Sequence, residues 1–374
     1  MKFLSYISIS LLLISFLGSC RDKLDLIGKG KESAVVVGLL DIADSVHYVK
    51  VTRTFIGDGI TSSLSIAQIA DSSYFDNVEI TIQETFINGS LGRTFTLHDT
   101  LINEKDMNGV FYAPQQKVYV FHTTSSAPLR ADATYNLTVK IDGGRIVVTG
   151  KTNLVSGIVV GNWSNLNSGI KLTQSGTELG KYATQQFAVT NVGTSYKLNG
   201  KLSFEYREFN VGLSDSTDKS IPFSFGEMDV KPGFNSGSTF VFSGEIFYKT
   251  LKDRIPVSTS VQKRIHTGFE VTIVGASREL VNYIEVNKPS TSLAQNKPTY
   301  TNLSITEGHS VIGIFGSRQT VRVFKPSKGD YAQIQALDKK SRRELCVGPL
   351  TGLLSFCSNH VADGAPTTET WFCP

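Results

Sequence analysis

Tyr135-Asn-Leu-Thr-Val-Lys-Ile141, Asp142-Gly143-Gly144 and Arg145-Ile-Val-Val148 spell out two strand-like segments joined by a tight turn. Asp-Gly supplies the positive φ that primed hairpin turns require, so the turn is assigned by mechanism as well as by composition. The same device recurs upstream, where residues 78–86 and 93–97 flank Asn88-Gly89. Further out, residues 47–55 alternate, with Val49, Val51 and Arg53 on one face and Tyr48, Lys50, Thr52 and Thr54 on the other. Residues 34–40 form a short apolar run. Short strands separated by turn signals, with almost no helical periodicity, predict an immunoglobulin-like β-sandwich over residues 34–155. Within it, Leu64, Ile66, Ile69 and Ala70 predict a short helix in an insertion over residues 62–75, lying across one end of the sandwich.

Beyond the sandwich, residues 157–168, with Gly161, Trp163 and several Asn and Ser, read as a linker into a second β-rich domain over residues 156–374. There Leu202, Phe204 and Tyr206 alternate with Ser203, Glu205 and Arg207, and residues 239–247 and 268–274 read as half-buried strands. Residues 215–219 and 228–238 read as loops. One helix is predicted, capped by Ser277, with Glu279 at the positive end of its dipole and Leu280, Tyr283 and Ile284 on one face. Pro289 stops it, so it ends near Asn287. A second helical turn is expected over residues 331–340, with Lys339, Lys340, Arg342 and Arg343 as a solvated basic cluster. The fold class is therefore all-β, and 374 residues suit two such domains at roughly 150 residues each. A content of 40% hydrophobic and 19% charged residues argues against global disorder and against a polytopic membrane protein. The net charge of +4 is too small and too evenly spread to draw the whole protein onto nucleic acid or anionic lipid.

The first twenty residues address the protein to a compartment. Lys2 is the only charge before the uncharged residues 3–19, whose apolar positions include Ile7, Ile9, Leu11, Leu12, Leu13, Ile14, Phe16 and Leu17. A permanent membrane helix needs about 20 apolar residues; this stretch is shorter, serine-interrupted and followed at once by Arg21, Asp22 and Lys23. Residues 1–19 are read as a signal peptide. Leu17-Gly18-Ser19-Cys20 resembles the bacterial lipobox, which implies cleavage before Cys20 and acylation of its sulfur. Two or three acyl chains would make membrane retention effectively permanent. Residues 20–33, rich in Lys, Asp and Gly, then form a lipidated tether.

Three cysteines remain, Cys346, Cys357 and Cys373. In an oxidising envelope one disulfide is favoured among three connectivities, and Gly348, Pro349, Thr351 and Gly352 suit a closed loop between Cys346 and Cys357. A zinc site has little support, since there is no Cys-x-x-Cys and only His360 lies nearby. Gly308-His309-Ser310-Val311-Ile312-Gly313 misses the Gly-x-Ser-x-Gly elbow by one position. Its apolar neighbours Ile305, Ile314 and Phe315 predict a buried strand with glycines at bulges or close contacts. Asp215 and Asp218 lack EF-hand spacing, and His47, His98, His122, His266, His309 and His360 lack that of a zinc hydrolase. No catalytic residue, metal or cofactor is expected. The aromatics fall mainly at alternating strand positions, where core packing is their expected role.

Several stretches, in order, resemble a family of Bacteroidota outer-membrane lipoproteins known as a domain of unknown function. They are the lipobox with residues 34–40 and 49–55 close behind, the 62–75 insertion, Gly275-Ala-Ser-Arg-Glu-Leu-Val-Asn-Tyr283, Tyr300-Thr-Asn-Leu303, residues 308–318 and Glu344-Leu-Cys346. The resemblance implies an outer-membrane location and association with TonB-dependent transport systems, and it brings no catalytic residues. The expected function is that of a non-enzymatic binding or accessory module held to the lipid bilayer through Cys20, its partner a transporter subunit or an extracellular polymer. The alternatives are a surface glycan-binding protein, a hydrolase with dispersed acidic residues, or a structural envelope component.

Overall fold

The computed structural model describes residues 33–54, 63–69, 72–109, 111–165, 169–213, 215–233, 238–288, 299–327, 336–358 and 373. The signal peptide, Cys20 and nearly all of the tether lie outside the described residues, as do Ala70, Pro289, His360 and residues 331–335. The chain adopts the expected all-β fold. Twelve strands form one hydrogen-bonded array in the order β11-β10-β13-β15-β1-β2-β5-β4-β3-β6-β7-β14, and β12-β9-β8 form a smaller sheet.

In the first unit, β1 (Ser33–Asp41) pairs with β2 (Val46–Arg53), and β2 with β5 (Gln116–His122). β4 (Leu91–Ile102) turns the corner: up to Leu97 it pairs with β3 (Val78–Phe86), and from His98 onward with β5. β6 (Ala133–Ile141) and β7 (Ile146–Asn153) complete the second layer. Both predicted hairpins form, with Gly89 at φ 80°, Asp142 at 53° and Gly143 at 66°. Tyr135, the third residue of β6, is buried, its hydroxyl accepting from the Arg130 amide at 2.7 Å, the corner tie known from immunoglobulin-like sandwiches. The core between the layers holds Val36, Val49, Ile80, Ile82, Leu137, Val139 and Val148, the inward positions of alternating strands. As expected for the insertion, a helix α1 (Ser63–Ala67) sits at the end of the sandwich where β2 stops, and the Arg53 amide donates to Ser73 O at 2.9 Å.

Residues 34–155 do not close this sandwich without help. β15 (Ser310–Pro326) adds parallel to β1, β14 (Leu303–Ile305) adds to β7, and Leu303 and Phe315 join the first core. A parallel neighbour needs a long crossover, so it comes from far along the chain. Side chains bridge the remaining seam. Asn302 donates to Phe315 O at 2.7 Å and accepts from its amide at 3.0 Å, and the Ser317 hydroxyl donates to Asn153 O at 2.6 Å.

β15 then continues into the second unit. It pairs with β1 as far as Arg318 and with β13 (Val261–Ala276) from Arg318 onward. At about 3.3 Å per residue its 17 residues run some 56 Å, one strand serving two cores. β10 (Lys197–Asn210) and β11 (Ser216–Asp229) extend that sheet, and its inner face carries Leu202, Phe204, Phe269 and Val271. Against it pack β12 (Ser238–Ser243), β9 (Thr184–Val192), β8 (Ile158–Val160), and the helices α2 (Gly244–Arg254) and α4 (Lys339–Val347).

Several expectations need correcting. The first part of the expected linker, residues 157–165, is built into the fold: β8 pairs with β9, and buried Trp163 donates to Ala188 O at 2.6 Å. The strand read over residues 239–247 stops at Ser243, whose hydroxyl caps the Ile246 amide at 3.4 Å and starts α2. There the alternation of Phe240 and Phe242 passes into the helical spacing of Phe247, Tyr248 and Leu251. Residues 215–219 belong largely to edge strand β11, where polar residues face water and pair across the ladder, Arg207 with Asp218 at 2.7 Å and Lys219 with Glu208 at 3.0 Å. The predicted helix forms as α3 (Arg278–Asn287), with the Leu280 amide 3.3 Å from the Ser277 hydroxyl. The second helix lies further along than expected, as α4 behind its cap Asp338, and it buries Arg342 rather than leaving the basic cluster wholly solvated.

The disulfide also differs. Cys357 pairs with Cys373, with 5.0 Å between Cα atoms, and not with Cys346. Cys346 lies on the buried face of α4 beside Leu345, so the helix turns it into the core. Cys357 lies on a chain segment tied to β13, its amide donating to Arg264 O at 3.1 Å, and Cys373 lies beside that segment, its amide donating to Ser358 O at 3.0 Å.

Candidate functional site

Gly308 to Gly313, the nearest approach to a nucleophile motif, is structural. Gly308 sits in a turn at φ 85°, Gly313 lies in β15 against Val36, and the Ser310 hydroxyl is hydrogen-bonded to that of Ser33. Asp218 is engaged by Arg207. Among the described residues no cluster of His, Cys, Asp and Glu is arranged to hold a metal ion.

The two units meet over a cleft of about 790 Å³. Its walls come from four places: Ile87 in the β3–β4 hairpin, Asp132 before β6, Asn153 at the end of β7, and Tyr196, Arg278 and Glu279 from the second unit. Ser277 sets the position of the α3 wall. Its amide donates to Ser317 O at 3.0 Å, so the first turn of α3 is tied to β15 where that strand changes partners. The Arg278 guanidinium stacks 4.7 Å from the centre of the Tyr196 ring. On the facing wall Asp132 accepts from Arg130 at 2.8 Å, which holds its carboxyl below the usual range, and Arg130 stacks on Phe86 at 4.5 Å. Thr194 stitches the floor, donating to Leu154 O at 3.1 Å and accepting from the Ser156 amide at 3.0 Å.

The cleft therefore offers an aromatic–guanidinium platform together with an Arg130-paired carboxylate and hydroxyl groups, suited to an extended polar ligand or a loop of another protein. It also has a defined place along the molecule. Ser33 pairs with Ser310 and Leu40 with Ser317, so about 23 Å of strand separates the start of the described chain from the cleft floor.

A second hollow, of about 420 Å³, opens where the layers diverge at β4, lined by Asp76, Glu79, His98, Asp99, Lys117 and Tyr119. Lys117 lies 3.7 Å from Asp99, and burial with the Asp99 charge pushes the Tyr119 hydroxyl up to about 12.

One buried titratable group gives the first unit a pH dependence. His47 stacks on Phe121 at 4.7 Å with its Nε2 3.2 Å from the Thr123 hydroxyl. Burial lowers its pKa from 6.5 to about 4, against the Asp41 charge, which raises it. The unfolded chain takes up a proton at this position that the folded chain refuses, so the group's contribution is complete above pH 6.5 and is lost as pH falls toward 4. Unfolding free energies from urea titrations are expected to fall over that window, by on the order of 3 kcal/mol from this group. His47→Gln should flatten the slope, and an unchanged slope would show that His47 does not carry it.

Sequence reasoning saw Ser277 and Glu279 only as a helix start. The cleft residues come from positions up to 192 apart, from Ile87 to Glu279, and no local pattern joins them.

No family model and no curated protein matches the chain. Among solved structures it is similar to the C-terminal globular domain of an oligosaccharyltransferase from Pyrococcus abyssi, at 11% identity over 64% of this chain, with a TM-score of 0.23. The chain spans 45% of that structure's length. CBD12 of CALX1.2 matches at 10% identity over 78% of this chain and 99% of its own, with a TM-score of 0.17. Trypsin-activated alpha-2-macroglobulin from Escherichia coli matches at 10% identity over 66% of this chain and 19% of its own, with a TM-score of 0.17.

Proposed function

We propose that the protein is an outer-membrane lipoprotein, held by acylated Cys20, that works by binding through the cleft between its two units. The observation that carries this is the placement of the cleft. It opens at the end of the first unit opposite Ser33, so a tether entering the fold there would leave the platform of Tyr196 and Arg278 at the other end of the sandwich. A partner at the membrane or in the surrounding medium can then reach the cleft without displacing the anchor. The lipobox-like Leu17-Gly18-Ser19-Cys20 supports the lipid attachment, and the family resemblance supports a transporter subunit as partner.

The test is affinity purification from native membranes. A stoichiometric outer-membrane barrel protein is expected to co-purify, and Arg278→Glu, which reverses the charge on the Tyr196 ring, is expected to reduce its recovery about tenfold, a loss of roughly 1.4 kcal/mol. Cys20→Ser is expected to abolish labelling by a palmitate analogue. Full recovery of the partner with Arg278→Glu would remove the cleft from the interaction. Native protein free in the periplasmic fluid, its leader cut elsewhere, would remove the anchor.

A further inference from the structure

The end of the sandwich opposite the cleft carries an apolar surface. Ile69 is 57% exposed, Leu101 57%, Met107 68%, Phe111 52% and Tyr112 37%. Single exposed apolar residues need no explanation, but several large ones on connected loops do. These loops are joined: the Tyr112 amide donates to Ala67 O at 2.9 Å, beside α1, and the Lys105 amide donates to Pro114 O at 3.2 Å. The Lys105 ammonium donates to Tyr112 O at 2.8 Å and lies 5.1 Å from the centre of the Phe111 ring. Asp106 is exposed on the same loop, its carboxylate accepting from the Asn108 amide at 2.9 Å, and Glu104 is exposed nearby.

Strand register fixes where this surface lies. Ile102 pairs with Gln116, Val49 with Tyr119, and Arg53 with Ala34, so the loop between β4 and β5 and the helix α1 both sit at the end where β1 begins. Cys20 precedes Ser33 by 13 residues, a tether that spans about 45 Å at full extension and about 20 Å as a flexible coil. A chain anchored there enters the fold at this end of the sandwich and not at the cleft end.

We infer that Ile69, Leu101, Met107, Phe111 and Tyr112 form a lipid-contacting face that seats the first unit on the membrane surface. The inference rests on the anchoring of Cys20 proposed above. Aromatic and thioether side chains suit the interfacial region, where an apolar body meets headgroups. Seating would hold the long axis of the molecule upright and the cleft outward, whereas a tether alone would let the body tumble.

The test uses the full chain carrying Met107→Cys, reconstituted in vesicles of phosphatidylethanolamine and phosphatidylglycerol and labelled with an environment-sensitive fluorophore. Cys346 is buried and Cys357 and Cys373 are bonded, so the label goes to the new thiol. Nitroxide lipids are expected to quench the label at least twofold at position 107, and not at Ile87→Cys in the cleft. With acylation of Cys20 confirmed by mass, an unquenched label at 107 would overturn the membrane face and leave the anchor standing. In the Cys20→Ser chain, vesicle binding is expected to be weak but measurable, and to fall about tenfold on replacing both Met107 and Phe111 by Asp; binding insensitive to that change would also overturn it. Cross-linking of position 107 to a membrane protein, without lipid quenching, would assign the face to a protein partner and overturn the inference.

Discussion

Gly313→Ala is expected to destabilise the protein by about 4 kcal/mol or more, because the backbone at this position has no room for a side chain and a φ that L-residues rarely adopt. Gly313 lies at φ 116°, and a Cβ built there would stand 2.0 Å from Val36 O and 2.8 Å from the Val36 carbonyl carbon. The obstacle is backbone, not the end of a flexible side chain. Val36 cannot retreat, since β1 is hydrogen-bonded to β15 on one side and to β2 on the other, and its side chain is in the first core. Relief therefore requires parting β1 from β15, the junction that closes the sandwich and carries the chain on to the second unit. At roughly 2–4 °C per kcal/mol for a unit of this size, the melting temperature should drop by about 10 °C. Gly308→Ala is the matched control: φ is 85°, but nothing lies within 4 Å of the added carbon, so the cost is only the left-handed backbone, about 1 kcal/mol. Equal melting temperatures for the two variants would refute the steric account.

The second large effect is expected at a buried carboxylate. Glu84 is buried in the first unit and accepts from Arg93 Nη2 at 2.6 Å, from Arg93 Nε at 2.9 Å, from the Arg93 amide at 3.1 Å and from the Tyr135 hydroxyl at 2.9 Å. The same guanidinium ties down the loop before β6 through Ala127 O at 2.8 Å and Pro128 O at 2.7 Å. Arg93→Leu should cost about 3 kcal/mol, since it strands a buried charge and frees the loop. Glu84→Leu with Arg93→Leu should recover part of that loss, because the stranded charge goes with it.

The sign of the pH dependence separates this from simple loss of packing. In the wild type, burial acts to raise the Glu84 carboxyl, and the hydrogen bonds from Arg93 and Tyr135 outweigh it and hold the group below its usual 4.5. Its contribution is then complete above 4.5 and is lost as pH falls through the lower folded value. Without Arg93, burial dominates and the carboxyl rises, so the deficit of Arg93→Leu should be larger at pH 7 than at pH 5. Urea midpoints at the two pH values measure this, and a deficit independent of pH would show that the carboxylate charge is not what the substitution exposes.

Some of this protein is legible along the chain. Asn88-Gly89 and Asp142-Gly143 predict hairpins because positive φ is a property of the turn residues, and the structure shows it at Gly89, Asp142 and Gly143. Ser277 predicts the start of α3 because a cap reaches only three residues ahead. Alternation at Val49 and Val51, or at Leu202, Phe204 and Tyr206, marks buried strand faces because the strand period is two. The mistaken features fail for equally definite reasons. Residues 215–219 look like a loop because a polar edge strand and a polar loop share a composition, and only pairing with β10 tells them apart. Cys346 looks like the partner of Cys357 because the residues between them favour a closed loop, yet α4 turns it into the core and the bond forms with Cys373.

Local chemistry acts over three or four residues, which is why turns, caps and strand periodicity could be assigned before any fold was known. The parallel addition of β15 to β1, the corner at β4, the cleft walls from Ile87 to Glu279 and the apolar end near Ser33 all join residues far apart in the chain. Such contacts are selected by the packing of whole sheets, in which each side chain is judged against neighbours that sequence order does not reveal.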